Sequence, residues 1–187
     1  MVSAIEIGAN AGNVVSIILA ARNNVHTWWS GIVSCTLFGW LFYTSQLYAD
    51  VTLQVFFVIA SAIGWWHWLH GQHGREGTLP VRRTGLPQLV ACTIAAALAA
   101  LGYGALLQHY TQAFAPFFDS LILAFSVLGQ LLMMGRRIEN WYAWLVVNSV
   151  AAPLYFARGL HLTAALYLFF WFNSWYGLYR WRRELAA

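Results

Sequence analysis

The side chains able to do chemistry in this sequence are few, and they recur at helical spacing. Glu6, Asn10 and Asn13 stand at i, i+4 and i+7, and Asp119, Ser126 and Gln130 at i, i+7 and i+11, so each trio shares one helix face. Gln54, Ser61, Trp65 and Trp68 make a third stripe and Trp141, Trp144, Asn148 and Tyr155 a fourth, while Asn173 lies between Trp171 and Trp175. Amides beside aromatic faces, with one or two acids, suit a flat ring, neutral or cationic, that carries hydroxyls. They do not make a reaction centre. No Ser/His/Asp set, HExxH, phosphate-cradling loop or dinucleotide glycine fingerprint is present, and the absence of lysine excludes Schiff-base chemistry. His67, His70 and His73 keep a three-residue spacing, but no carboxylate or cysteine completes a metal site. Cys35 and Cys92 read as small buried hydrophobes. The expectation is a binding protein without catalytic residues, metal or cofactor.

The elements that position these groups follow from composition. Of 187 residues, 60% are hydrophobic, 17% aromatic and 9% charged, whereas a soluble domain carries about a quarter charged residues. That makes an integral membrane protein and excludes a disordered or nucleic-acid-binding chain. Seven apolar runs are long enough to cross a bilayer: 4–21, 28–45, 50–69, 86–107, 116–134, 140–157 and 161–179. The longest connection is 71–85. Arg22, Arg75, Arg82, Arg83, Arg136, Arg137, Arg180, Arg182 and Arg183 fall on one side and Arg158 alone on the other. The positive-inside rule then predicts an outside N-terminus and a cytoplasmic C-terminus, which needs an odd number of spans. The N-terminus has neither a basic n-region nor a small-residue cleavage pattern, so no removable signal peptide is expected.

Sliding the chain on itself by 113 residues puts Trp28 on Trp141, Ser61 on Ser174, Gly64 on Gly177 and Trp68 on Trp181, along with several leucines and phenylalanines. Glu6 falls on Asp119 in the same register. The reading is an all-α fold of two parallel three-helix repeats, 1–70 and 116–187, joined by a linker loop and linking helix in 71–115. This 3+1+3 plan is that of sugar transporters of the SWEET type. The linking span is nearly devoid of polar groups and reads as a peripheral tether. Polar groups at membrane depth need a partner or a wet cavity, and interhelical hydrogen bonding is the plain alternative to a ligand role. Asn148 and Asn173, deep in tryptophan-rich spans, favour a ligand; Gln54 is open between the two. Trp28, Trp29, Trp65, Trp66, Trp68, Trp141 and Trp181 lie near span ends and read mostly as interfacial anchors, leaving Trp171 and Trp175 to stack on a solute. Glu6 and Asp119 sit near outer span ends, where simple solvation and a gating or electrostatic role are both open. Pro153 kinks the sixth span, as a packing bend or a gating hinge. No arginine lies in a span core, so nothing there neutralises a phosphate.

The sequence resembles the PnuC family of vitamin transporters. The resemblance is carried by Gly31 to Phe42, Gln46-Leu47-Tyr48-Ala49-Asp50, Leu53 to Phe57 and Gly64-Trp65-Trp66-His67-Trp68. In the second half it is carried by Asp119-Ser120, Arg136-Arg137-Ile138-Glu139-Asn140-Trp141 and Asn148 to Gly159. It implies a SWEET-like seven-helix homotrimer in the inner (cell) membrane that moves nicotinamide riboside by facilitated diffusion, with cytoplasmic phosphorylation trapping the solute. It also implies a pocket at mid-membrane between the two three-helix repeats. In such a pocket Asn148, Asn173 and Gln54 would bond the amide and ribose hydroxyls, with Ser61 and Gln130 nearby. Trp175 or Trp171 would stack on the pyridinium, and Glu6 or Asp119 would supply negative potential. The stretch Ser61-Ala62-Ile63-Gly64-Trp65 departs from the Asn-x-Tyr-Gly-Trp of nicotinamide riboside carriers, which keeps thiamine or riboflavin as alternatives. Asn148, where thiamine-type relatives carry an acid, favours nicotinamide riboside. A seven-span receptor or sensor, or a membrane-embedded enzyme, is the alternative from another class.

Overall fold

A computed structural model describes residues 4–44, 48–70, 79–111 and 114–186, with no account of the side chains of 4 and 48–50. His73, Arg75 and Gln46 of the readings above therefore lie outside the described residues. Seven helices are seen among the described residues: α1 (Ala4–Ala21), α2 (His26–Thr44), α3 (Tyr48–His70), α4 (Leu86–Tyr110), α5 (Pro116–Met134), α6 (Asn140–Ala157) and α7 (His161–Ala186). Each expected span is found as one helix. The main differences lie at C-terminal ends: α4 runs three residues further than its apolar stretch, and α7 carries Arg180, Arg182 and Arg183 on its last turns.

By length and composition Val51–His70, Leu86–Tyr110 and Pro116–Met134 can each cross a bilayer, and Ile5–Ala21 is a shorter apolar helix. In α2, α6 and α7 tryptophan and tyrosine side chains, with asparagines in α6 and α7, dilute the aliphatic content.

The chain divides into two compact units. The first contains α1 to α3, runs to Pro80, and includes Met134–Arg136. In it α1 packs on α2 and α2 on α3. Small residues bring α1 and α2 close: a Cβ on Gly12 would stand 3.3 Å from Ser34 Cβ. Polar bonds then tie the pair, as expected where lipid supplies no hydrophobic drive between helices. Ser34 Oγ donates to Ala9 O at 2.7 Å, and Ser16 and Thr27 each donate a hydroxyl to the other's carbonyl at 2.8 Å. Arg136 is buried with a left-handed φ of 48°. Its guanidinium stands 4.1 Å over the Trp68 ring and donates to Leu79 O and to Asn23 O. Those contacts offset the roughly 1–2 kcal/mol that a left-handed non-glycine costs. Read from sequence as a topology marker, Arg136 is also a structural residue.

The second unit holds Val81–Met133 and Arg137–Ala187. Here α6 packs on α7, and Cys92 and Ala96 of α4 pack against Leu128 and Leu132 of α5 and Ala143 of α6. At the far end of α4 Gly104 abuts Phe117 of α5, where a Cβ would meet the ring at 2.5 Å. Helix α4 is thus part of a packed unit, despite its low polarity. The turn before α6 is stitched to the chain before α4. Glu139 is buried and accepts from Thr84 N at 2.9 Å and Thr84 Oγ1 at 2.8 Å, while Ile138 N donates to Arg82 O.

The tryptophans correct one expectation. Trp28, Trp68, Trp141 and Trp181 are fully buried, not interfacial. Trp28 meets Trp68 edge-on at 5.2 Å and 87°, and Trp141 meets Trp181 at 5.5 Å and 87°. The rings of Trp28 and Trp141 each lie flat on a glycine, since a Cβ on Gly64 or on Gly177 would stand 2.5 Å from an indole carbon. Trp29, Trp65 and Trp66 are exposed, as an anchor requires. A tryptophan near a span end is placed inside when the facing helix offers a glycine to receive it.

Candidate functional site

A cleft of about 290 Å³ opens along α6 and α7 of the second unit, lined by Asn148, Ser149, Ala152, Pro153, Leu168 and Trp171. That volume is near the lower end of small-molecule sites. Trp171 and Leu168 are one turn apart on α7 and face the cleft together; Asn148 and Ala152 do the same on α6. Pro153 has no N–H to give to the Ser149 carbonyl, one turn earlier, so the helix ladder is interrupted where the cleft forms.

Two side-chain bonds order the walls. Trp171 Nε1 donates to Ser149 Oγ at 3.0 Å, which sets the plane of the indole. Asn148 Nδ2 donates to Ser174 Oγ at 3.2 Å, and Ser174 Oγ donates to Phe170 O at 2.7 Å. Asn148 is 3% exposed and Ser174 2%, so this polar chain is nearly desolvated. A buried donor left unpaired costs about 1–3 kcal/mol, enough to hold such a pairing together. Beyond it, Trp175 meets Trp171 edge-on at 6.0 Å, and Tyr155 lies 5.1 Å from Tyr167. The cleft therefore offers an aromatic face, an amide and a hydroxyl, without a charged group among its lining residues.

Of the residues singled out in the sequence, the structure gathers Asn148, Pro153 and Trp171 into this cleft. Asn173 and Trp175 are on α7 and Gln130 is buried on α5, all in the same unit but outside the lining. Trp175 is 48% exposed. Asp119, at the start of α5, forms an ion pair with Arg158 at 2.6 Å, so its charge is matched within its own unit. In the first unit Ser61 is buried on α3, Gln54 packs by Gly39, and Glu6 is half-buried in the first turn of α1. Asn10 turns its amide back to Glu6 O at 2.9 Å.

Sequence reasoning missed Ser149 and the role of Ser174. Ser149 was one residue from Asn148, yet its tie to Trp171 spans 22 positions and leaves no local pattern. Ser174 carried a signal, its match to Ser61 at a spacing of 113 residues, but a serine hydroxyl in a helix ordinarily bonds back to its own backbone and marks no site.

The sequence pattern of the family described as nicotinamide mononucleotide transporter matches residues 3–183. The chain belongs to that family. It is 27% identical over 199 aligned positions to the nicotinamide riboside transporter PnuC of Escherichia coli, covering 94% of this chain and 83% of the relative. It is also 27% identical to the riboflavin/roseoflavin transporter RibM of Streptomyces davaonensis, covering 85% of this chain and 76% of the relative. The fold matches the crystal structure of the vitamin B3 transporter PnuC with a TM-score of 0.73 at 22% identity, over 96% of this chain and 80% of that one. The protein is thus a multi-pass membrane transporter of this family.

Proposed function

We propose that this transporter takes up nicotinamide riboside, by facilitated diffusion with alternating access, and so feeds NAD synthesis after cytoplasmic phosphorylation. The observation that carries the reading is the α6–α7 cleft, where a buried amide and an oriented indole face one small space. A pyridinium stacks well on an indole face, and a carboxamide or ribose hydroxyl pairs with an amide. Asn148 and Trp171 are the proposed contacts, with Asn173, Trp175 and Gln130 of the same unit in support. The sequence argument adds Gln54 and Ser61 as binding residues, Glu6 and Asp119 as gating or electrostatic groups, and Pro153 as a hinge. Two parallel three-helix repeats around α4, a homotrimer, the inner membrane, an outside N-terminus and a cytoplasmic C-terminus complete the reading.

The riboside is favoured over the mononucleotide by charge. Arg158 is engaged by Asp119, and Arg136 donates to carbonyls and faces Trp68, so neither arginine is poised for a phosphate. The second reading is riboflavin uptake, favoured by the likeness to the riboflavin/roseoflavin relative.

Titration of the purified protein with nicotinamide riboside, nicotinamide mononucleotide, thiamine and riboflavin tests the proposal. Nicotinamide riboside should bind tightest, by at least tenfold over its phosphorylated form. Tight binding of riboflavin or thiamine alone would replace the substrate, and equal binding of the mononucleotide would overturn the charge argument.

A further inference from the structure

Ser174 is the residue of the site whose chemistry is not absorbed by the reading above. A serine hydroxyl has one hydrogen to donate. Ser174 gives it to Phe170 O, at 2.7 Å along its own helix. Toward α6 it can therefore only accept, and the group it meets at 3.2 Å must be a donor. Of the two ends of the Asn148 amide only Nδ2 qualifies. The amide orientation follows from the proton count: nitrogen to Ser174, oxygen away from it. Asn148 lines the cleft, and its oxygen receives no hydrogen bond from a described residue. Packing at 3% exposure leaves the side chain little room to turn over.

We propose that Ser174 is a positioning residue that locks the Asn148 amide with its oxygen toward the cleft, so that the site selects a ligand presenting an N–H donor there. For a pyridine nucleoside this favours a carboxamide over a carboxylate. A carboxylate offers two acceptors and no donor, and would meet the Asn148 oxygen as one acceptor against another. Binding the acid would require the amide to rotate, which takes Nδ2 away from Ser174 and sets an acceptor against its hydroxyl oxygen unless Ser174 gives up its bond to Phe170 O. The hydroxyl on α7 thus carries discrimination without touching the solute.

This inference rests on nicotinamide riboside being a ligand, and the test separates the two. Affinities for nicotinamide riboside and for nicotinic acid riboside are measured by calorimetry on the wild-type transporter, Ser174→Ala and Ser174→Thr, with melting curves alongside. Wild type should favour the amide nucleoside strongly. In Ser174→Ala both orientations of Asn148 become available, and the amide-to-acid affinity ratio should fall about tenfold; Ser174→Thr retains the hydroxyl and should restore it. Ser174→Cys, close in volume and a weak acceptor, gives the same reading should the alanine variant fail to fold. An unchanged ratio in Ser174→Ala or Ser174→Cys with normal nicotinamide riboside binding overturns the positioning role alone. Wild-type protein that binds neither nucleoside overturns the substrate reading, and this inference falls with it.

Discussion

The α2–α3 pair of the first unit and the α6–α7 pair of the second share a framework and differ in what they present. Trp28, Gly64 and Trp68 in one match Trp141, Gly177 and Trp181 in the other, with nearly equal ring separations and the same interplanar angle. Trp28 Nε1 and Trp141 Nε1 are each buried without a hydrogen-bond partner among the described residues, so even the unfavourable feature recurs. The turns before α2 and α6 agree too. Asn23 and Arg136, 113 residues apart, take φ of 55° and 48°, and the next residue of each bonds back five positions, Asn24 N to Leu19 O and Arg137 N to Leu132 O. The helices that precede these turns, α1 and α5, both end in a Schellman-type cap. Where the cleft of the second unit has Asn148, Ser149 and Trp171, the same register in the first has Cys35, Thr36 and Val58. On the duplication we infer, packing residues stayed while polar lining residues diverged, as expected if one repeat specialised in recognition.

The comparison breaks most visibly at the glycines. Gly64→Ala and Gly177→Ala each drive a methyl into a fully buried tryptophan that is itself packed on another. Neither ring can yield as a flexible side chain would. Overpacking of this kind costs about 3 kcal/mol, and for a chain of this size each variant should melt roughly 10 °C lower. Equal losses in thermal unfolding of the detergent-solubilised protein support equivalent clamps. A loss at one position alone would show that the two ring pairs do not play the same part.

A second pair of variants separates lining from framework. Asn148→Ala removes the buried amide from the cleft and should weaken binding of the transported nucleoside about 10- to 100-fold, in line with one or two lost hydrogen bonds. Cys35→Ala, at the matching place on α2, should change affinity less than about twofold, because a small half-buried thiol there serves packing. Comparable losses would mean that recognition is shared evenly and that the polar contrast between the two pairs is incidental.

The same contrast explains what could be read from sequence. The helices were legible because a bilayer demands unbroken apolar length and the connections are short, so α1, α5 and α6 have the bounds their apolar runs gave. Asn148 and Trp171, which the structure brings to one cleft, were legible as candidates because polar and aromatic groups deep in a span need a reason. The buried clamps were not. A tryptophan at a span end satisfies both an interface and a glycine-lined core, and only the facing helix decides between them. Gly64 and Gly177, four residues before Trp68 and Trp181, were the available clue, since a glycine that recurs within helices at the same 113-residue register marks a close approach. Arg136 was hidden for a similar reason: its side chain satisfies the arginine bias of one membrane face, while its cation–π contact and carbonyl bonds depend on residues 57 to 113 positions away.

The smallest expected effect is the one that most sharpens the contrast. Ser149 and Thr36 occupy the same place in the two pairs and both carry hydroxyls, yet they bond differently. Thr36 Oγ1 returns to Ile32 O of its own helix at 2.7 Å, whereas Ser149 Oγ accepts the indole N–H of Trp171. Ser149→Ala takes away an acceptor at the cleft edge and leaves the indole free to swing about its side-chain torsions. One neutral hydrogen bond of about 1 kcal/mol translates into a three- to fivefold loss of affinity, with little change in melting temperature because the site is partly exposed. Thr36→Ala deletes a bond that serves only its own helix and should leave affinity unchanged within error. An affinity loss in Thr36→Ala as large as that in Ser149→Ala would place recognition on both pairs and remove the division of labour argued above.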